Sequence, residues 1–213
     1  MKLQTIETHI VKTPPPGFGG RYFIFVVLQT ACGIRGFGEI YAASFAPETV
    51  STMAADVFGR YLEDQNPFEI ERFWRRAHGS GFSHRPDPSM QGVVSGLEMA
   101  CWDIVGKALD RPVYDLLGGK VNDRLRTYTY LYPRADQDAA SFYNDASASA
   151  EAAAGYVSEG FTAVKFDPAG PYSVFDGRQP DLGALLRSED FCREIRAAVG
   201  DRADLLFGTH GQF

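Results

Sequence analysis

Residues 161–167 read FTAVKFD, and the reading of this stretch decides the fold. Side chains alternate across a β-strand, so Val164 and Phe166 share one face and Lys165 and Asp167 the other. The apolar pair suits a face packed under helices. The charged pair then lies on the opposite face, at the strand's carboxyl end. Working outward, LRTYTYLY (Leu125–Tyr132) reads as the strand before and DLLFG (Asp204–Gly208) as the strand after. Alanine- and serine-rich sequence from Ala139 to Glu159 predicts the helix joining the first two. LGALLRSEDFCREIRAAVG (Leu182–Gly200) predicts the second helix, after a long loop through Pro180. A β-α-β-α-β order gives a parallel sheet. In a (β/α)8 barrel, inward-facing groups at carboxyl strand ends are the catalytic ones. Lys165 and Asp167 are therefore candidate site residues. The alternative is an ion pair between the two that closes the strand end, but ionised groups away from water are costly without a task.

The region before this sheet has a different grammar. KLQTIETHIV (Lys2–Val11), YFIFVVLQT (Tyr22–Thr30) and GIRGFGEIY (Gly33–Tyr41) read as strands, with the loop TPPPGFGGR (Thr13–Arg21) between the first two. From Pro47 the period becomes helical. APETVSTMAADVFGRYLE and PFEIERFWRRAHG predict two amphipathic helices, the second with Pro67 near its first turn. After the loop GSGFSHRPDPS, a long helix is expected over Gln91–Leu109, and RPVYDLLGGK closes the region on a glycine stop. The reading is an α+β domain over residues 1–123 and a parallel β/α part over residues 124–213. That second part holds three strands and ends on one, which would leave an apolar sheet edge open, so a truncated barrel is expected.

The chain has 213 residues, 45% hydrophobic and 23% charged, as in an ordinary globular protein. Its net charge of −6 argues against nucleic acid and anionic membrane partners, which recruit basic patches. No run approaches the roughly 20 apolar residues of a membrane span, and MKLQTIETHIV lacks the apolar core of a signal peptide. Cys32, Cys101 and Cys192 lack metal-site spacing and are read as buried, reduced thiols of a cytoplasmic protein. GFGG and GIRGFG do not match a dinucleotide-binding fingerprint, and no nucleophile elbow is present. His210, in GTHGQ past the third parallel strand, stands at the same kind of strand end as Asp167. His9 and His78 read as structural, whereas His84 lies in a loop that could reach a site.

SGLEMACWDIVGKALDRPVYDLLGG (Ser95–Gly119) closely resembles the signature of the mandelate racemase/muconate lactonizing branch of the enolase superfamily. The shared pattern is S-x-L-E-x-A-x-W-D-x-x-G-K followed by P-V-Y-x-L-L-G-G. The resemblance implies an α+β capping domain followed by the start, about three β/α units, of a (β/α)8 TIM-type barrel. It covers the whole chain, which amounts to about half of a family member. It also implies Mg²⁺-dependent abstraction of the proton α to a carboxylate, the metal and cations offsetting charge on the enediolate. In many members a K-x-K on the second barrel strand supplies a cation and a base. Lys165 matches the first lysine, and Asp167 replaces the second. The family's third strand usually ends in a metal-binding aspartate, and in some sugar-acid dehydratases reads D-x-H. His210 keeps that histidine, while Gly208 stands at the aspartate position.

From both departures it is expected that Asp167 supplies the carboxylate that Gly208 lacks, glycine leaving room for it, with Gln212 or His210 as further donors. Lys165 and His210 are then the expected catalytic residues and Asp167 the expected metal ligand. Arg21 and Tyr41, on two loops that match the family's specificity loops, are expected to meet substrate, as are His84, Arg85 and Tyr172. The expected activity is dehydration of an aldonate or aldarate. A racemase or cycloisomerase, or a truncated non-catalytic relative, are the alternatives. The implied partners are a small-molecule carboxylate and, by family resemblance, further copies of the chain.

Overall fold

Three antiparallel strands open the chain: β1 (Leu3–Lys12), β2 (Tyr22–Thr30) and β3 (Arg35–Ile40), in the order β1-β2-β3. In this computed structural model the described residues are 1–14, 20–41, 45–84, 87–168 and 181–209. The chain divides into two compact units, Met1–Val121 and Asn122–Phe213.

In the first unit, alternation along β2 puts Ile24, Val26 and Leu28 into a core completed by helices α1 (Pro47–Tyr61), α2 (Ile70–Ser80) and α3 (Pro88–Leu109). Helix α3 contributes most, burying Val93, Val94, Leu97, Ala100, Cys101, Ile104 and Val105. It lies directly on β3 because the facing residues lack side chains. A Cβ at Gly38 would stand 2.0 Å from the Gly96 carbonyl oxygen, and one at Gly36 2.1 Å from that of Ala100. The glycines of GIRGFG thus serve helix–sheet contact.

The polar residues of the signature helix protect the edge of that sheet. Asp103 accepts a hydrogen bond from the Phe37 backbone N–H at 2.9 Å, and Lys107 Nζ donates to the Arg35 carbonyl at 2.8 Å and to Asp103 at 2.7 Å. The Lys107 ammonium also lies 4.5 Å from the centre of the Phe37 ring. Backbone groups that would otherwise invite another strand are satisfied in this way. Trp102 Nε1 donates to Glu98 one turn back at 3.0 Å.

Several expectations change here. Helix α3 starts at Pro88, because Asp87 caps the backbone N–H groups of Ser89 and Met90, each at 3.1 Å. Pro67 lies before α2, in a turn where Asn66 accepts from the Phe68 and Glu69 amides. A short helix α4 (Val113–Leu116) follows α3. Cys101 is buried and Cys192 half-buried, but Cys32 is exposed, since it sits in the turn between β2 and β3; all three are free thiols. His78 is structural, its ring stacked 4.7 Å from Trp74 and its Nδ1 2.9 Å from Gln91 Nε2. His9 is exposed on β1, 3.5 Å from Glu7.

The second unit holds β4 (Thr129–Tyr130), β5 (Ala163–Phe166) and β6 (Asp204–Phe207), paired in parallel in the order β4-β5-β6. The first of these is much shorter than Leu125–Tyr132, since among the described residues it pairs with β5 alone, itself four residues long. One helix was expected over Ala139–Glu159, and two are found: α5 (Ala139–Phe142) and α6 (Ala146–Ser158). Asp145 ends the run by capping the amides of Ser147 and Ala148, at 2.9 and 3.1 Å. Helix α7 (Leu182–Val199) packs with α6 on one sheet face, where Val164 and Phe166 meet Phe191, Ile195 and Val199. At the amino ends of the strands, Arg126 donates to the Thr162 side chain at 2.9 Å and pairs with Asp204 at 2.6 Å.

Candidate functional site

Parallel register sets the geometry at the carboxyl ends of β4, β5 and β6. Lys165 stands level with Tyr130 on one side and Leu206 on the other. The Leu131 amide donates to the Lys165 carbonyl and the Gly208 amide to that of Phe166, both at 2.8 Å, which carries the pairing one step past each strand. Asp167 therefore lies beside Gly208. Because Val164 and Phe166 face the helices, Lys165 and Asp167 project from the other face. Both are half-buried.

The two side chains converge over Gly208. A Cβ built there would lie 2.1 Å from Asp167 Oδ1, 3.3 Å from Asp167 Cγ and 3.1 Å from Lys165 Cε. The carboxylate and the lysine stem thus use the volume that any other residue at position 208 would fill. Asp167 Oδ1 is itself buried.

Phenols surround this strand end. Tyr130 and Tyr132, two apart at the end of β4, have ring centres 5.0 Å from each other. Burial pushes the Tyr143 phenol up to about 12, with further contributions from Tyr132, the Asp167 carboxylate and Tyr156. Tyr143 is thus a neutral hydrogen-bond donor at physiological pH, in the electrostatic reach of Asp167. The Tyr156 phenol is also raised, first by burial, then by Glu159 and Tyr132, with the Tyr132 backbone partly offsetting. Sequence reasoning passed over this cluster. Alternation would have put Tyr130 and Tyr132 on the Lys165 face, but Tyr143 falls at a helix break that the composition conceals.

The expected substrate contacts lie in the first unit where they are described. Arg21 is exposed just before β2, and Tyr41 is 80% exposed just after β3. The antiparallel pairing of Lys12 with Tyr22 and of Ile24 with Ile40 brings both to one end of the sheet. There the Tyr22 hydroxyl donates to the Phe45 carbonyl at 2.9 Å, and Thr13 donates to the Gly20 carbonyl, which ties the two loop bases together. His84 is exposed in a separate turn, its amide bonded to the Gly81 carbonyl at 2.8 Å. Arg85, Tyr172, His210 and Gln212 lie outside the described residues. Among the described residues no group of three or more His, Cys, Asp or Glu side chains could hold a metal ion, and no helix is long and apolar enough to cross a membrane.

Comparison with known proteins gives consistent results. Residues 8–118 match the family described as mandelate racemase / muconate lactonizing enzyme, N-terminal domain. A D-galactonate dehydratase of Ralstonia nicotianae (strain ATCC BAA-1114 / GMI1000) is 31% identical over 212 residues, 100% of this chain and 49% of that protein. A D-gluconate/D-galactonate dehydratase of Picrophilus torridus is 32% identical over 194 residues, 89% of this chain and 45% of that protein. The solved mandelate racemase/muconate lactonizing enzyme from Jannaschia sp. CCS1 superposes with a TM-score of 0.93 at 54% identity, over 100% of this chain and 55% of that one. The mandelate racemase/muconate lactonizing enzyme-like protein of Roseovarius sp. TM1035 gives 0.94 at 54% identity, over 100% and 54%. The chain spans about half the length of the relatives it matches.

Proposed function

We infer that this chain, which belongs to the mandelate racemase/muconate lactonizing enzyme family, is the amino-terminal part of a sugar-acid dehydratase. The single observation that carries the reading is the ammonium-bearing stem of Lys165 and the carboxylate of Asp167 converging over Gly208 at the carboxyl ends of parallel strands. The names of the dehydratase relatives, which are aldonate dehydratases, support an aldonate as substrate, with an aldarate as the second candidate. In this reading residues 1–123 are the capping domain and residues 124–213 begin a (β/α)8 barrel.

The residues present fit one ligand position for Mg²⁺. A carboxylate oxygen is the hard donor that this ion takes, and Asp167 fills the cradle that a Cβ at Gly208 would occupy. Asp167 is the ligand assigned to this chain's described residues; the remaining ligands come from elsewhere in the protein. Mg²⁺, when bound, offsets negative charge on the substrate carboxylate as the α-proton leaves. Lys165 adds a second positive charge for the same developing oxyanion. A base outside the described residues takes the α-proton, His210 gives its proton to the departing β-hydroxyl, which leaves as water, and the resulting enol becomes an α-keto acid lacking that hydroxyl. Arg21, Tyr41, His84, Arg85 and Tyr172 are the candidates for meeting oxygens of the small carboxylate substrate. The protein works as a homo-oligomer in the cytoplasm.

The test uses the product of the complete gene, offered a panel of aldonates and aldarates with Mg²⁺ or with chelator, and the α-keto product is assayed. Turnover that chelator abolishes is expected, with Lys165→Met lowering kcat by about 10²–10³-fold. Exchange of the α-proton with solvent deuterium, without loss of water, would instead identify a racemase. Neither exchange nor product would identify a non-catalytic relative.

A further inference from the structure

We infer that Gly208 is a positioning residue that decides which strand presents the acid: positions 167 and 208 hold one carboxylate between them, and the missing Cβ at 208 is its seat. The metal half of this inference rests on the reading of Asp167 as a ligand; the packing half does not.

The argument is one of volume. Ordinary contact between a Cβ and a neighbouring heavy atom falls at 3.4–4 Å, and Asp167 Oδ1 would be at 2.1 Å. The atoms in the way are side-chain ends, so the cheaper relief is for the carboxylate to swing out of its seat. The carboxylate must rotate away, or β6 must part from β5, and the Gly208 amide is bonded to Phe166 across that seam at 2.8 Å. Lys165 Cε, at 3.1 Å from the same point, must also give way, so a side chain at 208 moves both charged groups at once. Position 208 is itself buried, beneath these two side chains. An aspartate there would bring a second carboxylate into a seat already occupied, and two carboxylates cannot share one volume. An aspartate at 208 is compatible with this strand end only when position 167 gives up its acid.

Two measurements separate the halves. The first is a thermal double-mutant cycle on the product of the complete gene. Gly208→Ala lowers Tm by about 1–5 °C in the presence of Asp167, and does so far less in the Asp167→Ala background. An equal fall in both backgrounds, or none in either, overturns the packing half. The second is Mn²⁺ binding followed by electron paramagnetic resonance. Asp167→Ala and Gly208→Ala each weaken it by about tenfold or more, and the exchange variant Asp167→Ala/Gly208→Asp recovers it. If Asp167→Ala loses Mn²⁺ and the exchange variant does not regain it, the shared seat is refuted. If Asp167→Ala binds Mn²⁺ as the parent does, the ligand reading of Asp167 fails, and the thermal cycle still judges the seat.

Discussion

Replacing Gly38 by alanine tests the contact on which the first unit is built. The added Cβ would lie 2.0 Å from the Gly96 carbonyl oxygen, 3.0 Å from its carbon and 3.2 Å from the Ala100 nitrogen. All three are backbone atoms of α3, so no side-chain rotation relieves the clash. To reach ordinary contact the helix must retreat from β3 by about 1.4 Å. A gap of ~0.5–1 Å already forfeits a quarter to a half of a dispersion contact, and α3 carries seven large or small apolar residues buried in this core, from Val93 to Val105. Retreat would also stretch the 2.9 Å bond from Phe37 to Asp103 and the 2.8 Å bond from Lys107 to Arg35. We expect a loss of about 3 kcal/mol or more, at the upper end of overpacking effects. The control is Gly59→Ala on α1, where the nearest neighbour is the end of Glu63 at 3.9 Å. That change should stabilise by about 0.5–1 kcal/mol, since glycine in a helix interior is unfavourable. The assay is urea unfolding followed by circular dichroism. A Gly38→Ala protein within about 0.5 kcal/mol of the parent, against the ordinary range for surface changes, would refute the close-contact account.

Further outcomes follow from the same structure. Asp103→Ala leaves the Phe37 amide and the Lys107 ammonium short of an acceptor, and should lower stability by about 1–3 kcal/mol in the same assay. Alkylation should take Cys32 first, because it is exposed and the Thr30 hydroxyl, 3.3 Å from its sulfur, holds its thiol below the ordinary range. Cys101 should react only as the chain unfolds. Burial, with a smaller contribution from Glu98, pushes the Cys101 thiol up to about 12 from 9.0. Between those values the unfolded chain loses a proton that the folded one keeps, so this contribution is intact below pH 9.0 and is lost as pH rises toward 12. Cys101→Ala should flatten that part of the stability–pH curve, and an unchanged slope would contradict the burial argument.

Some of this molecule was readable residue by residue. Alternation alone separates Val164 and Phe166 from Lys165 and Asp167, because a strand's geometry admits only two faces. The same rule sorts β2, and local chemistry explains the Asp145 cap once attention falls on it, although the alanine-rich run around it argued for one helix. The signature helix was legible as a pattern, but its residues turn out to hold a sheet edge: Asp103 and Lys107 meet Phe37 and Arg35 across a separation in sequence of 66 and 72 residues.

The rest belonged to the tertiary structure, for a common physical reason: volume is shared between residues distant in the chain. GIRGFG announces that side chains are missing, yet only the packed helix says that Gly96 and Ala100 fill the space. Likewise the sequence suggests that Gly208 leaves room for Asp167, but only the strand pairing brings Asp167 Oδ1 within 2.1 Å of the place its Cβ would take. The Tyr143 phenol comes into the field of Asp167 through a helix break and a strand crossing together. Sequence by itself determined which residues are charged, which alternate and which family pattern they follow. The fold decided which of them meet, because steric exclusion acts between neighbours in space.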